Sequence, residues 1–272
     1  MCEFSNEYVR LGRKEEIIMS AIRKKRTKVE LVLQIIVIFS IIRQFMMGNY
    51  HNVFLGILTL FLFTVPKLIE HKLDVFIPAG LETVILLFIF SAEILGEINA
   101  FYVKIPLWDT ILHTTNGFLM AAIGFALIDI FNRSEKFSIS MSPYFVAFFA
   151  FCFSMTVGVM WEFFEFGMDH FFSLDMQKDW IVPVINSVKL NPDGANAPIK
   201  VIVNSLVVNG ETWNLGGYLD IGLIDTMKDL IVNFIGAVVF SFIGIAYLKN
   251  RGKGKLAASL IPQVRQRIKH NK

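Results

Sequence analysis

The sequence predicts an all-α polytopic membrane bundle of about six transmembrane helices, with a small extramembrane segment that carries a β-hairpin. Three observations predict it. Apolar runs near 20 residues, the length that crosses a hydrocarbon core, follow one another along a chain of 272 residues. Hydrophobic residues make up 54% of the chain and charged ones 18%, against roughly 25% charged in soluble domains. Basic residues also gather on alternate connections, which is the positive-inside pattern of membrane proteins.

Taken in order, residues 1–30 form a basic tail that ends in Arg23-Lys24-Lys25-Arg26 and Lys28. The apolar run behind it is long and no small-residue cleavage site follows, so it reads as a retained span and not as a signal peptide. Residues 15–22, with Ile17, Ile18, Ala21 and Ile22, fit either a short interfacial helix or a solvated one. Spans are expected at 31–47, 53–70, 75–95, 108–131, 143–171 and 225–248, giving a membrane region over 31–248. The second carries Pro66 near its end, and the third carries Pro78 and Glu82. The fifth exceeds the length needed to cross, so its last turns project beyond the core or tilt. Between the last two spans lies a polar segment, 172–217, with Pro183, Pro192 and Pro198. Residues 200–203 and 206–208 are β-like, and Asn209-Gly210 is a hairpin turn signal. Residues 249–272 form a second basic tail.

Loop charges set the orientation. Arg10, Arg13, Lys14 and the cluster up to Lys28 precede span one; Lys67 and Lys72 close span two; Arg133 and Lys136 follow span four; eight Lys and Arg residues from Lys249 to Lys272 follow span six. With six spans all of these share one side, and the other side's short loops hold only Lys104, with Arg43 near the end of span one. Both termini are therefore expected in the cytoplasm. The partner this implies is the lipid bilayer, with anionic headgroups as a further partner of the basic tails; nothing points to nucleic acid. Cys2 and Cys152 cannot build a disulfide framework.

The residues that carry chemistry are ionisable groups on the spans. Asp109, His113 and Asn116 share one face of span four; Glu162, Glu165 and Asp169 share one face of span five; Asp225, Asp229, Asn233 and Gly236 form a stripe on span six. The orientation brings the charged members of these stripes, with Glu93 and Glu97 of span three, to the outer membrane depth. Asp109 and Asp225 open helices, where an acidic residue also serves the helix dipole. Glu162, Glu165 and Asp169 sit late in theirs, where the dipole disfavours anions, among Phe163, Phe164 and Phe166. Charged groups in a bilayer are costly and mark functional sites. An oxygen-rich set with one His suits a divalent ion such as Mg, Mn or Ca, with Zn also compatible. The metal-site expectation is thus Asp109, His113, Glu162, Glu165, Asp169, Asp225 and Asp229, with His113 or Glu165 as a general base if the protein is an enzyme. Glu82 either lines the same cavity more deeply or pairs locally. Paired His-x-x-x-His, Cys-x-x-Cys, phosphate-cradling Gly loops and Gly-x-Ser-x-Gly elbows are absent from the sequence.

Four segments, Trp108-Asp109-Thr110-Ile111-Leu112-His113, Trp161-Glu162-Phe163-Phe164-Glu165, Met176-Gln177-Lys178-Asp179 and Asp225-Thr226-Met227-Lys228-Asp229, resemble the signature of the YjdF-like bacterial inner-membrane proteins. The resemblance covers spans three to six and implies a bacterial membrane location. Glu165, Gln177, Asp229, Asn233 and Gly236 are also similar to the acidic-Gln, then Asp, Asn and Gly pattern of VanZ-like membrane proteins, although the arginine of that pattern before the final Asp is missing. Three functions stay open at this point. They are cation binding or proton- or cation-coupled transport of a small solute, metal-dependent chemistry on a lipid or cell-envelope precursor, and a partner or assembly role for the outer segment.

Overall fold

A computed structural model describes residues 28–73, 75–133, 141–250, 259–261 and 263–264. The expected helix at 15–22 lies outside them. Six helices are long and apolar enough to cross a membrane: Lys28–Met46, Tyr50–Lys72, Ala79–Ile98, Trp108–Ile128, Pro143–Phe172 and Leu223–Lys249. The protein is thus a polytopic helical membrane protein. Its outward surface is apolar, with Phe39, Phe54, Phe148 and Phe242 each more than 60% exposed. Lipid tails are as apolar as a protein core, so nothing drives these rings inward.

Each span has a local reason for its bounds. α1 is Lys28–Met46. The second span is two helices, α2 (Tyr50–Leu62) and α3 (Val65–Leu73). Pro66 has no N–H to offer residue 62, so the helix breaks there, and Thr64 Oγ1 donates to the freed turn at Phe61 O, 2.7 Å away. The third span starts at Ala79 and not at 75. Pro78 caps it, and Ile77 before that proline is driven to extended backbone, so the helix does not reach back to Val75–Phe76, which form a short strand, β1. α4 (Ala79–Phe90) then widens into a π-helical stretch, Ser91–Ile98. A short α5 (Phe101–Lys104) leads to α6 (Trp108–Arg133); α7 is Pro143–Phe172 and α8 is Leu223–Lys249.

The chain forms two compact units, one of Met1–Met155 with Asn233–Lys272, the other of Thr156–Val232. In the first unit the core holds Leu119, Ala121, Ala122 and Phe125 of α6, Val146 and Ala150 of α7, and Ala237, Phe240 and Tyr247 of α8. Small residues let the helices come close, which is how association is driven where there is no hydrophobic effect. A Cβ at Gly236 would fall 2.0 Å from Thr114 O, and one at Gly117 would fall 2.1 Å from Asn233 O. Beside this crossing Asn116 Nδ2 donates to Asn233 Oδ1 at 3.3 Å, Asn233 Nδ2 reaches Ser154 O at 3.4 Å, and Ser154 Oγ donates to Gly117 O at 2.7 Å. The two asparagines of the sequence stripes thus form part of a buried polar knot that ties three spans.

The second unit holds the end of α7, the start of α8 and six strands in three antiparallel ribbons. They are β2 (Trp180–Val182), β3 (Val184–Ser187), β4 (Ile199–Ile202), β5 (Leu206–Val208), β6 (Glu211–Trp213) and β7 (Tyr218–Asp220). β5 pairs with β6 across Asn209-Gly210, whose φ angles of 54° and 86° are both positive. Such angles belong to a tight two-residue hairpin turn, as the sequence predicts. β4 pairs with β3, and β2 pairs with β7.

Candidate functional site

In the second unit, spacings of three and four residues put Glu162, Glu165 and Asp169 on one face of α7, and Asp225 and Asp229 on one face of α8. Glu162, Glu165 and Asp229 each bring a carboxylate oxygen within 4.8 Å of the others, and Asp225 and Asp229 do the same as a pair. All four are buried, at 4%, 7%, 7% and 3% exposure for Glu162, Glu165, Asp225 and Asp229. Trp161 Nε1 donates to Glu165 Oε1 at 2.9 Å and holds that carboxylate's rotamer. Two oxygens on opposite sides of a cation at ligand distances of about 2.0–2.6 Å stand about 4–5 Å apart. The three-carboxylate group therefore has the dimensions and the charge of a hard-cation site.

Asp169, which stands outside the close carboxylate group, and Asp225 hold the adjoining loop. Asp169 Oδ1 and Oδ2 accept the backbone N–H groups of Met176 and Gln177 at 2.6 and 2.8 Å, and Asp225 Oδ2 accepts that of Lys178 at 2.7 Å. The buried Gln177 then donates from Nε2 to Thr226 Oγ1 at 2.5 Å. Gly222, with φ at 128°, lets the chain pass Gln177, since a Cβ there would lie 2.8 Å from that of Gln177. The Met176–Lys178 run is thereby pinned to both helices by carboxylates one turn beyond the three-carboxylate group. Sequence reasoning placed Asp169 and Asp225 on the right faces and missed this role. The signal was the polar Met176-Gln177-Lys178-Asp179 motif, which no periodicity interprets. Nearby, burial and then the charges of Asp175 and Asp220 push the Asp179 carboxyl above its ordinary range, against the pull of Lys178.

Replacing Asp169 by alanine should release this run. Amide hydrogen exchange at 174–178 is expected to quicken at least tenfold, while exchange in the middle of α7 and α8 stays as in the wild type.

In the first unit Asp109 and His113 stand one turn apart on α6 with Nε2 and Oδ1 3.5 Å from each other, a pair suited to carrying a proton. Glu82 is 1% exposed in the first turn of α4, where an acidic group suits the helix dipole. Glu93 and Glu97 both lie on the π-helical stretch, a backbone form frequent at functional sites.

Six helices long and apolar enough to cross a membrane define a multi-pass membrane protein. The chain belongs to the family described as Predicted membrane protein (DUF2238), whose model matches residues 29–250; this is the YjdF-like family. The chain matches no curated protein and no solved structure.

Proposed function

We propose that the protein binds a divalent cation between Glu162, Glu165 and Asp229, as a cation-binding or cation-coupled transport protein of the bacterial inner membrane. The observation that carries this reading is the approach of three buried carboxylates on two helices within 4.8 Å. Unneutralised, such a set repels itself; a bound cation converts the repulsion into attraction. Asp225 beside Asp229 extends the oxygen set, and Asp169 supports it by holding the adjoining loop. The Asp109–His113 pair enters through the membrane depth that the loop charges imply, as the group that exchanges a proton against the cation. The same charges put both termini in the cytoplasm and the carboxylates on the outer side, and they offer the basic tails to anionic headgroups.

Calorimetry of the detergent-solubilised protein with Mn, Ca, Mg and Zn ions tests the reading. Saturable binding of one ion per chain is expected for at least one metal, weakened at least tenfold in Glu162→Gln. Wild-type protein that binds none of the four overturns it. Metal-stimulated turnover of a lipid-linked phosphate by the same preparation would assign the site to catalysis and not to transport.

A further inference from the structure

We propose that Trp180 guards the cation site: its indole face holds the Lys228 ammonium and so keeps a tethered competitor off the Asp225 and Asp229 carboxylates. This inference rests on the cation reading and deepens it. A site that takes a free cation has to keep the protein's own cations out of it. Lys228 is such a group, one residue before Asp229 and three after Asp225 on α8. Residues three apart share a helix face, and an Asp followed by a Lys at that spacing is suited to an ion pair. The flexible four-carbon stem makes the ammonium a movable point charge. Yet Lys228 Nζ stands 2.9 Å from the centroid of the Trp180 ring, and among the described residues it enters no ion pair.

The indole is fixed in place to receive it. Trp180 is the first residue of β2 and pairs with Asp220 of β7. Two residues before it, the backbone N–H of Lys178 donates to Asp225 Oδ2 at 2.7 Å, and the indole Nε1 itself donates to Asp225 Oδ1 at 3.5 Å. Trp180 therefore meets the site with two different groups. Its ring edge offers a neutral donor to Asp225, and its ring face offers the negative side of a quadrupole to Lys228. Tryptophan is the side chain whose face holds a cation best. The neutral donor steadies Asp225 without a net charge to repel an incoming ion, as Trp161 steadies Glu165. Trp180, Asp225 and Lys228 all belong to the second unit. With the ring removed, the ammonium is free to fold back onto Asp225 and take up the oxygens that a metal ion would use.

The test is a double-mutant cycle on the full-length, detergent-solubilised protein. It is titrated in a calorimeter with whichever of Mn, Ca, Mg and Zn ions the wild type binds most tightly. Trp180→Ala is expected to weaken binding at least tenfold. Lys228→Met is expected to tighten binding at least five times more in the Trp180→Ala background than in the wild-type background, because only there does the lysine reach the carboxylates. A loss caused by general damage to the fold would not be reversed by removing a lysine. Trp180→Ala that binds as the wild type does, or a Lys228→Met gain that is equal in the two backgrounds, overturns the proposal and leaves the cation reading standing. Wild-type protein that binds none of the ions overturns both. If Trp180→Ala yields no folded protein, Trp180→Leu, which keeps apolar bulk and removes the ring, takes its place in the same cycle.

Discussion

Gly236→Ala should lower the stability of the protein by about 3 kcal/mol, at the upper end of the usual cost of overpacking, and Gly236→Val should leave little folded material. The added methyl of alanine would stand 2.0 Å from Thr114 O and 2.8 Å from Phe118 N. Both obstacles are backbone atoms, so no side chain can turn aside and α6 must move away from α8. That movement also parts Asn116 from Asn233 and strains the Ser154 bond to Gly117, and Asn233 and Ser154 are buried away from any replacement partner. Thermal unfolding followed by monodispersity in detergent checks this. Gly167→Ala is the control, because its Cβ meets nothing nearer than a Phe171 ring carbon at 4.0 Å. Combining Gly117→Ala with Gly236→Ala should cost less than the sum of the two, since both press on one crossing and the first separation relieves the second. Full additivity would mean that the two glycines serve separate contacts.

The second large effect has the opposite sign. In protein stripped of divalent ions, Glu162→Gln with Glu165→Gln is expected to raise the melting temperature while abolishing any rise on adding metal. Two carboxylates within 4.8 Å repel by about 3 kcal/mol at an effective dielectric of about 20. Removing two charges of three removes every close repulsion in the group. A purely structural carboxylate behaves differently. Its loss breaks a hydrogen bond that holds the fold, and stability falls with or without metal. Thermal scans with and without the ion separate the cases. A double variant less stable than the chelated wild type would argue that the group exists to hold the helices together.

Much of this was legible in the sequence because the bilayer leaves few choices. Every backbone polar group must be satisfied within the span, so apolar length alone marks the six helices, whereas the break before Pro66 and the start behind Pro78 were passed over by the expected spans 53–70 and 75–95. Spacing of three and four residues was enough to set Glu162 with Glu165, and Asp225 with Asp229, on common faces. What could not be read has one physical character: it depends on contacts between segments without periodicity. Asp169 and Asp225 look like their neighbours in sequence, and only the fold reveals that their oxygens take the N–H groups of Met176, Gln177 and Lys178. The turn signal at Asn209-Gly210 announced one ribbon, while the pairing of β3 with β4 joins residues from Ser187 and Ile199 out to Val184 and Ile202, across a long irregular connection. The buried Ile261 lies in a tail that reads as basic, and its few apolar residues, such as Leu256, Leu260, Ile261 and Val264, are too short a run to mark a span.

The pairing of β2 with β7, Trp180 opposite Asp220 and Val182 opposite Tyr218, means that the chain leaves α7 and returns to α8 through one fastened gateway. Everything between Val182 and Tyr218 is an excursion whose two ends are already joined. Closing a longer loop costs little once its ends are fixed, about 0.6 kcal/mol per doubling, so this part of the protein is free to grow, shrink or accept foreign sequence. The exposed turn at Asp193-Gly194 is the natural place to graft an epitope or a fluorescent reporter, and the helices on either side of the gateway should not register the addition.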